Sequence, residues 1–263
     1  MQFETQLALL DRAFAAYAND RRLEALQIAM PVIHEMNREI VVATERSRFN
    51  IDMHKQLYLN IRDFLAVLPI PVPQASPLDS ATAISWNKNF NAEDAYTLVG
   101  RLIRHGKLYG IGDYEQDPRA VRAMGFLSVI VANKLSLPGD HRLVLSVPSS
   151  SKSTNTLPKQ LAELVATTSS RYDFTQPGTL LRRRDFGQLK NISDYDMKVR
   201  LVTGSMEADE KQCGGRKILL IDDLYDSGGT LREAARSLKA AGATEVHALV
   251  MAKTRSFMKR TMW

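Results

Sequence analysis

Two carboxylates, Asp222 and Asp223, stand side by side just before the short run Asp226-Ser227-Gly228-Gly229-Thr230. Two successive glycines let a backbone curl tightly around an anion. Ser227 and Thr230 add hydroxyl donors, and a helix opening directly after the loop would aim its first N–H groups at a phosphate. The carboxylates cannot themselves hold a phosphate. Beside such a cradle they suit the vicinal hydroxyls of a sugar, or a Mg2+ ion reached through water. Adjacent like charges are costly without a partner, so the acid pair argues for a ligand site over a plain capped turn.

The elements around this run can be read from its flanks. Residues 217–221, KILLI, form a continuous apolar strand that delivers the acids. Residues 231–241 predict a helix with Leu231, Ala234, Ala235 and Leu238 on one face and Gly242 at its C-terminal cap. A second apolar strand, residues 246–252, follows. Strand, helix, strand in this order implies a parallel crossover, and ligands of parallel sheets lie beyond the carboxyl ends of the strands. Further upstream, 141–147 reads as a strand and 92–104, 118–134 and 157–167 as helices. The fold class expected is α/β, a parallel-sheet, Rossmann-like domain preceded by an α-helical N-terminal segment.

That segment is expected to span residues 1–68. Leu7, Leu10, Phe14 and Tyr17 recur at helical spacing, a second set runs through Leu23, Ala25, Ile28 and Met30, and a third includes Leu57, Ile61, Phe64 and Leu65. Pro31 is expected to interrupt or restart the second helix. Residues 69–77, PIPVPQASP, carry four prolines in nine positions and read as an extended linker. The α/β domain then occupies 78–263.

The chain has 263 residues, 44% hydrophobic and 24% charged, a soluble globular balance. Its net charge of +6 and pI of about 9.4 fit anionic partners, either phosphorylated metabolites or nucleic acid. A single cysteine, Cys213, excludes an internal disulfide framework and reads as an inert exposed thiol in a Gly-rich turn, in keeping with a reducing compartment. His34, His54, His105, His141 and His247 fall into no metal-ligand spacing. The most apolar stretch, 123–132, is too short to span a bilayer, and the first residues lack signal-peptide architecture. A cytoplasmic protein with no membrane association is expected. No GxxxxGK[ST] run occurs, and Gly110-Ile111-Gly112 has Glu115 where a dinucleotide fingerprint needs its third glycine.

ILLIDDLYDSGGT resembles the type I phosphoribosyltransferase signature for 5-phosphoribosyl-1-pyrophosphate (PRPP): four apolar residues, two acids, two apolar residues, then a small-residue loop ending in Thr. Residues 100–256 more widely resemble the competence-protein-F (ComF-type) branch, through RLIRHGKLYGIGD, VLSVPSSSKSTNTLPKQLAELVA and LLRRRDFGQLKNISDYDMKVRLV. This resemblance implies that Asp222 and Asp223 hold the ribose 2- and 3-hydroxyls, with Mg2+ bound indirectly. It implies that Asp226, Ser227, Gly228, Gly229 and Thr230 hold the 5-phosphate. Ser149, Ser150, Ser151 and Lys152 would hold pyrophosphate, and Arg182 would lie on a mobile flap spanning 182–188. Asp226 stands where purine-using members carry a base near the purine ring, and Lys253 is similar to a lysine that contacts a purine carbonyl.

Two departures accompany the resemblance. The branch's cysteine-rich zinc module is missing, and its Arg-Gly-Phe-Asn-Gln run is present only as Asn155-Thr156-Leu157-Pro158-Lys159-Gln160, without the arginine. Three roles follow: a PRPP-dependent transferase acting on a nitrogenous base or another nucleophile, a non-catalytic sensor of PRPP or a nucleotide, and a ComF-like accessory of nucleic-acid uptake or defence. Three placements stay open for the N-terminal helices: packing on the sheet, a dimer arm of a homo-oligomer, or a surface for a partner protein.

Overall fold

The computed structural model describes residues 1–46, 70–71, 77–88, 96–107, 116–135, 142–149, 155–174, 178–182 and 195–254. Its main sheet has six strands in the order β1-β2-β8-β7-β3-β4. They are β1 (Ile70–Pro71), β2 (Ser80–Trp86), β3 (Arg142–Ser146), β4 (Asp173–Phe174), β7 (Lys217–Tyr225) and β8 (Glu245–Lys253). All neighbours run parallel except β1, which pairs antiparallel with β2. The two remaining strands, β5 (Leu180–Arg182) and β6 (Met206–Ala208), form a separate antiparallel ribbon.

The order of these strands creates the crevice. From β3 the chain passes through a helix to β4 on one side, then returns to lay β7 on the other side of β3. The connections after β3 and after β7 therefore diverge at the carboxyl ends of two adjacent strands, the place where open α/β sheets receive ligands. The parallel pairing of β7 with β8 bears out the crossover expected from 217–252.

Both faces of the sheet are covered. On one face Ile84, Val144, Leu219, Ile221, Leu249 and Met251 pack beneath five helices. These are α1 (Phe3–Ala18), α2 (Arg22–Arg46), α3 (Leu98–Gly106), α4 (Pro118–Lys134) and α5 (Leu157–Thr168). The N-terminal helices share this core. Leu7, Leu10 and Ala13 are fully buried with Phe126, the Tyr17 ring meets Phe126 edge-on at 5.9 Å, and Arg122 binds Asp11 at 2.6 Å. On the other face Leu143, Leu145, Ile218, Leu220, Ala248 and Val250 pack against Leu231, Ala234, Ala235 and Leu238. Those four belong to α8 (Gly229–Ala240), which follows α6 (Tyr195–Val202) and the single turn α7 (Glu210–Cys213).

Several local expectations need correction. Pro31 lies inside α2, which continues through it. Proline removes one N–H and crowds the preceding turn, but Ala29, Val32, Ile33 and Met36 around it are all buried, and that packing carries the helix onward. Cys213 is buried, because α7 turns it inward onto the α8 side of the sheet, and burial pushes its thiol up to about 11. α3 begins at Leu98 because Thr97 caps it, accepting the Gly100 N–H at 3.1 Å. Residues 92–95 of the helix expected there, and the third run at 57–65, lie outside the described residues. Gly242 follows the Ala241 cap of α8 with φ 85°, the left-handed position that glycine tolerates. Among the described residues no helix is long and apolar enough to cross a membrane.

Candidate functional site

β7 is longer than its apolar run predicts. It continues through both acids to Tyr225, and β8 stays in register with it to the end, pairing Asp222 with Val250 and Tyr225 with Lys253. The acids are thus part of a paired strand, and their backbone is held on a rigid element.

The two carboxyls sit in unequal surroundings. Asp222 Oδ1 accepts the backbone N–H of Asp223 at 2.9 Å. The Lys107 ammonium, just beyond α3, forms an ion pair with Asp223 Oδ2, and the two side chains are only 24% and 14% exposed. Burial first, and the Asp223 charge second, push the Asp222 carboxyl up to about 7, while Lys107 and Arg182 pull against that rise. The pair thus presents one carboxyl raised mainly by burial beside one held by a lysine.

The 226–230 loop owes its shape to Gly228. This residue caps α8 with φ 74° and ψ 2°, and a Cβ there would stand 2.5 Å from the Tyr225 hydroxyl. Tyr225 therefore fills the space beneath the loop, and a residue without a side chain must sit above it. No side chain caps this helix, so its first-turn N–H groups face the loop that Ser227 and Thr230 border. Asp226 is exposed at the loop's start, where the Thr254 hydroxyl donates to Oδ1 at 2.9 Å.

Lys253 closes β8 and is 8% exposed. In register it lies between Trp86 on β2 and Tyr225 on β7, with its ammonium 5.7 Å and 5.2 Å from the two ring centres. Burial lowers its basicity, and the Asp226 charge partly offsets the effect. Arg182, at the end of β5, reaches back to the connection after β3, where Nη2 donates to the Pro148 carbonyl at 2.7 Å. Ser149 is exposed at the same place.

The sheet thus gathers Asp222, Asp223, Asp226, Ser227, Gly228, Gly229, Thr230 and Lys253 at the carboxyl ends of β7 and β8, with Ser149 and Arg182 beside the end of β3. Ser150, Ser151, Lys152 and residues 183–188 lie outside the described residues. Sequence reasoning left three contributors without a role: Lys107, Trp86 and Tyr225. Lys107 falls inside the quoted basic run RLIRHGKLYGIGD, but nothing in the order of residues says that it meets an acid 116 positions later.

Residues 130–260 match the sequence profile of the family described as Phosphoribosyl transferase domain. Adenine phosphoribosyltransferases of Mycobacterium avium (strain 104) and of Mycolicibacterium paratuberculosis (strain ATCC BAA-968 / K-10) are each 42% identical over 57 residues, which is 22% of this chain and 32% of theirs. The chain so spans about a third of the length of these curated relatives. Among solved structures, a glutamine PRPP amidotransferase from B. subtilis complexed with ADP and GMP aligns with a TM-score of 0.38 at 21% identity, over 57% of this chain and 30% of that one. A structure described as the allosteric regulatory enzyme of purine biosynthesis aligns with a TM-score of 0.37 at 20% identity, over the same shares.

Proposed function

With residues 130–260 forming a phosphoribosyl transferase domain, we propose that the protein binds PRPP and transfers its phosphoribosyl group to a nitrogenous base or a comparable nucleophile. The observation that carries this reading is the junction of β7 and α8: two adjacent carboxyls on a paired strand, directly before a glycine-capped helix N-terminus. Asp222 and Asp223 hold the ribose 2- and 3-hydroxyls. The 226–230 loop takes the 5-phosphate through backbone N–H groups and the hydroxyls of Ser227 and Thr230. Ser149, with Ser150, Ser151 and Lys152, receives the pyrophosphate, and Arg182 lies close enough to the β3 connection to add positive charge there.

Mg2+ fits this donor set. Burial first, and the neighbouring Asp223 second, disfavour the charge on Asp222, and a hard divalent cation nearby offsets both. Among the described residues no cluster of three His, Cys, Asp or Glu side chains forms a protein-only cage. Asp222 and Asp223 would hold the ion through water, alongside oxygens of the ligand, and it would supply charge neutralisation for the leaving pyrophosphate. Asp226, exposed at the loop and oriented by Thr254, is placed to accept a proton from the incoming base. Lys253, held between two aromatic rings, offers a donor to an acceptor's carbonyl. The ComF-type resemblance of residues 100–256 belongs to this reading as its finer assignment.

Calorimetric titration with PRPP and Mg2+ tests the reading. Saturable binding by the wild type, lost in Asp222→Asn/Asp223→Asn, supports it. No binding by the wild type at millimolar PRPP would sink it.

A further inference from the structure

Resting on that reading, we infer that Lys107 is a positioning residue for the ribose end of the site, fixing the carboxylate of Asp223 from a frame built by α3, α4 and α5. Lys107 engages Oδ2 of Asp223, and the Asp223 N–H engages Oδ1 of Asp222. One oxygen of each carboxyl is thereby engaged, which restricts the rotation of both. The pair is mostly shielded from solvent, so its orientation is less screened than that of a surface pair.

The frame that presents Lys107 is rigid at several independent points. Its own N–H closes the last turn of α3 on the Ile103 carbonyl at 2.9 Å. The preceding Gly106 packs so tightly that a Cβ would stand 2.4 Å from Met124 Cε on α4 and 3.5 Å from Leu157 at the start of α5. The Gly106 carbonyl accepts from Gln116 Nε2 at 2.7 Å, and Gln116 Oε1 accepts from Gln160 Nε2 on α5 at 3.2 Å. The Asp117 N–H donates to the His105 carbonyl at 2.9 Å. A chain of contacts therefore runs from Gln160 in the first turn of α5 through Gln116 and Gly106 to Lys107 and Asp223. A fixed direction of approach is what a binding group for an oriented ligand requires.

The pair could instead serve stability alone, and the two roles separate in a double-mutant cycle on ligand affinity. Lys107→Met, Lys107→Gln, Lys107→Arg, Asp223→Asn and Lys107→Met/Asp223→Asn are titrated with PRPP and with ribose 5-phosphate, each with Mg2+, and their thermal midpoints compared. Lys107→Met is expected to weaken both ligands about tenfold, the size of a lost charge-assisted hydrogen bond. Lys107→Gln, which keeps a similar length and a donor, stands in if the methionine variant fails to fold. Lys107→Arg is expected to recover to within about threefold of wild type, since it restores the charge if not the point geometry. In the Asp223→Asn background, Lys107→Met adds nothing further. Affinities unchanged in Lys107→Met, or losses that add across the cycle, overturn the role. A loss seen with PRPP and absent with ribose 5-phosphate also overturns it, because Lys107 would then act on the pyrophosphate itself. Failure of the wild type to bind either ligand overturns the phosphoribosyl reading of the site, and the role of Lys107 with it.

Discussion

The two ends of the main sheet carry similar residue types and opposite electrostatics. At the amino ends of the strands, Ser80 Oγ meets His247 Nδ1 at 2.7 Å, His247 Nε2 meets Glu245 at 3.0 Å, and Glu245 pairs with Lys217 at 2.7 Å. Nearby, Asp79 binds Lys239 at 2.8 Å and accepts the Val246 N–H at 2.7 Å. The hydrogen bond from Lys217, then that from His247, hold the Glu245 carboxyl below its ordinary range. At the carboxyl ends, burial and a neighbouring like charge raise Asp222, and burial depresses Lys253. One end has acids placed against cations, as stability favours. The other also pairs Asp223 with Lys107, but it sets Asp222 and Lys253 where burial disfavours their charges, a pattern that marks candidate sites.

The largest break in that contrast should come from the acid pair. Asp222→Asn/Asp223→Asn is expected to reduce PRPP affinity by about 100-fold or more, as two hydrogen bonds to charged groups are lost. Its thermal midpoint should change little, because the relief of the like-charge contact is offset by the loss of the Lys107–Asp223 ion pair. A lowered midpoint with unchanged affinity would reverse the assignment of the two ends.

Next in size is Gly228→Ala. The positive φ and the 2.5 Å approach to the Tyr225 hydroxyl both oppose a side chain. Chemical denaturation should show a loss of about 2 kcal/mol or more, with phosphate binding weakened as well. Adding Tyr225→Ala removes the clash and leaves the backbone strain, so only part of the loss should return.

The pH dependence of stability sharpens the comparison further. An aspartate near 3.8 when unfolded and raised to about 7 when folded makes the native state bind the extra proton between those values. Its contribution to stability is complete below the unfolded value and is lost as pH rises through the folded one. Denaturation midpoints measured from pH 4 to 8 should fall with rising pH by more in the wild type than in Asp222→Asn. Parallel curves would show that Asp222 is not raised in the folded protein.

The smallest effect is expected at the opposite end. Glu245→Gln should cost about 0.5–1 kcal/mol, the range for a partly exposed ion pair, and leave PRPP affinity unchanged. Any change in ligand affinity there would show that the two ends are coupled, and the electrostatic division between them would fail.

How much of this was legible in the order of residues depends on the range of the interaction involved. α4 was readable to the residue at both ends because Asp117 caps it, Pro118 opens it and an unbroken apolar face fills it. β7 and α8 were readable because strand, loop and helix are contiguous, and their signature lies in thirteen neighbouring positions. Pro31 misled because local propensity is overridden when a helix is packed on both sides of the proline. Cys213 misled because a glycine-rich turn says nothing about which way its neighbour faces.

By itself the sequence determined the crossover, the acid pair, the glycine-capped loop and the charge available to meet an anion, since each is a local pattern with a local physical reason. Only the tertiary structure decided that β7 lies beside β3 at the point where the winding of the sheet reverses, which brings Arg182 and Ser149 toward the acids. It alone placed Lys107 on Asp223, Trp86 beside Lys253 and Tyr225 beneath Gly228. These pairings depend on strand order and helix packing, which join residues far apart in the chain. Asp222 departs from an ordinary aspartate for the same reason: its burial and its neighbouring cations exist only once the sheet and its helices have closed around it.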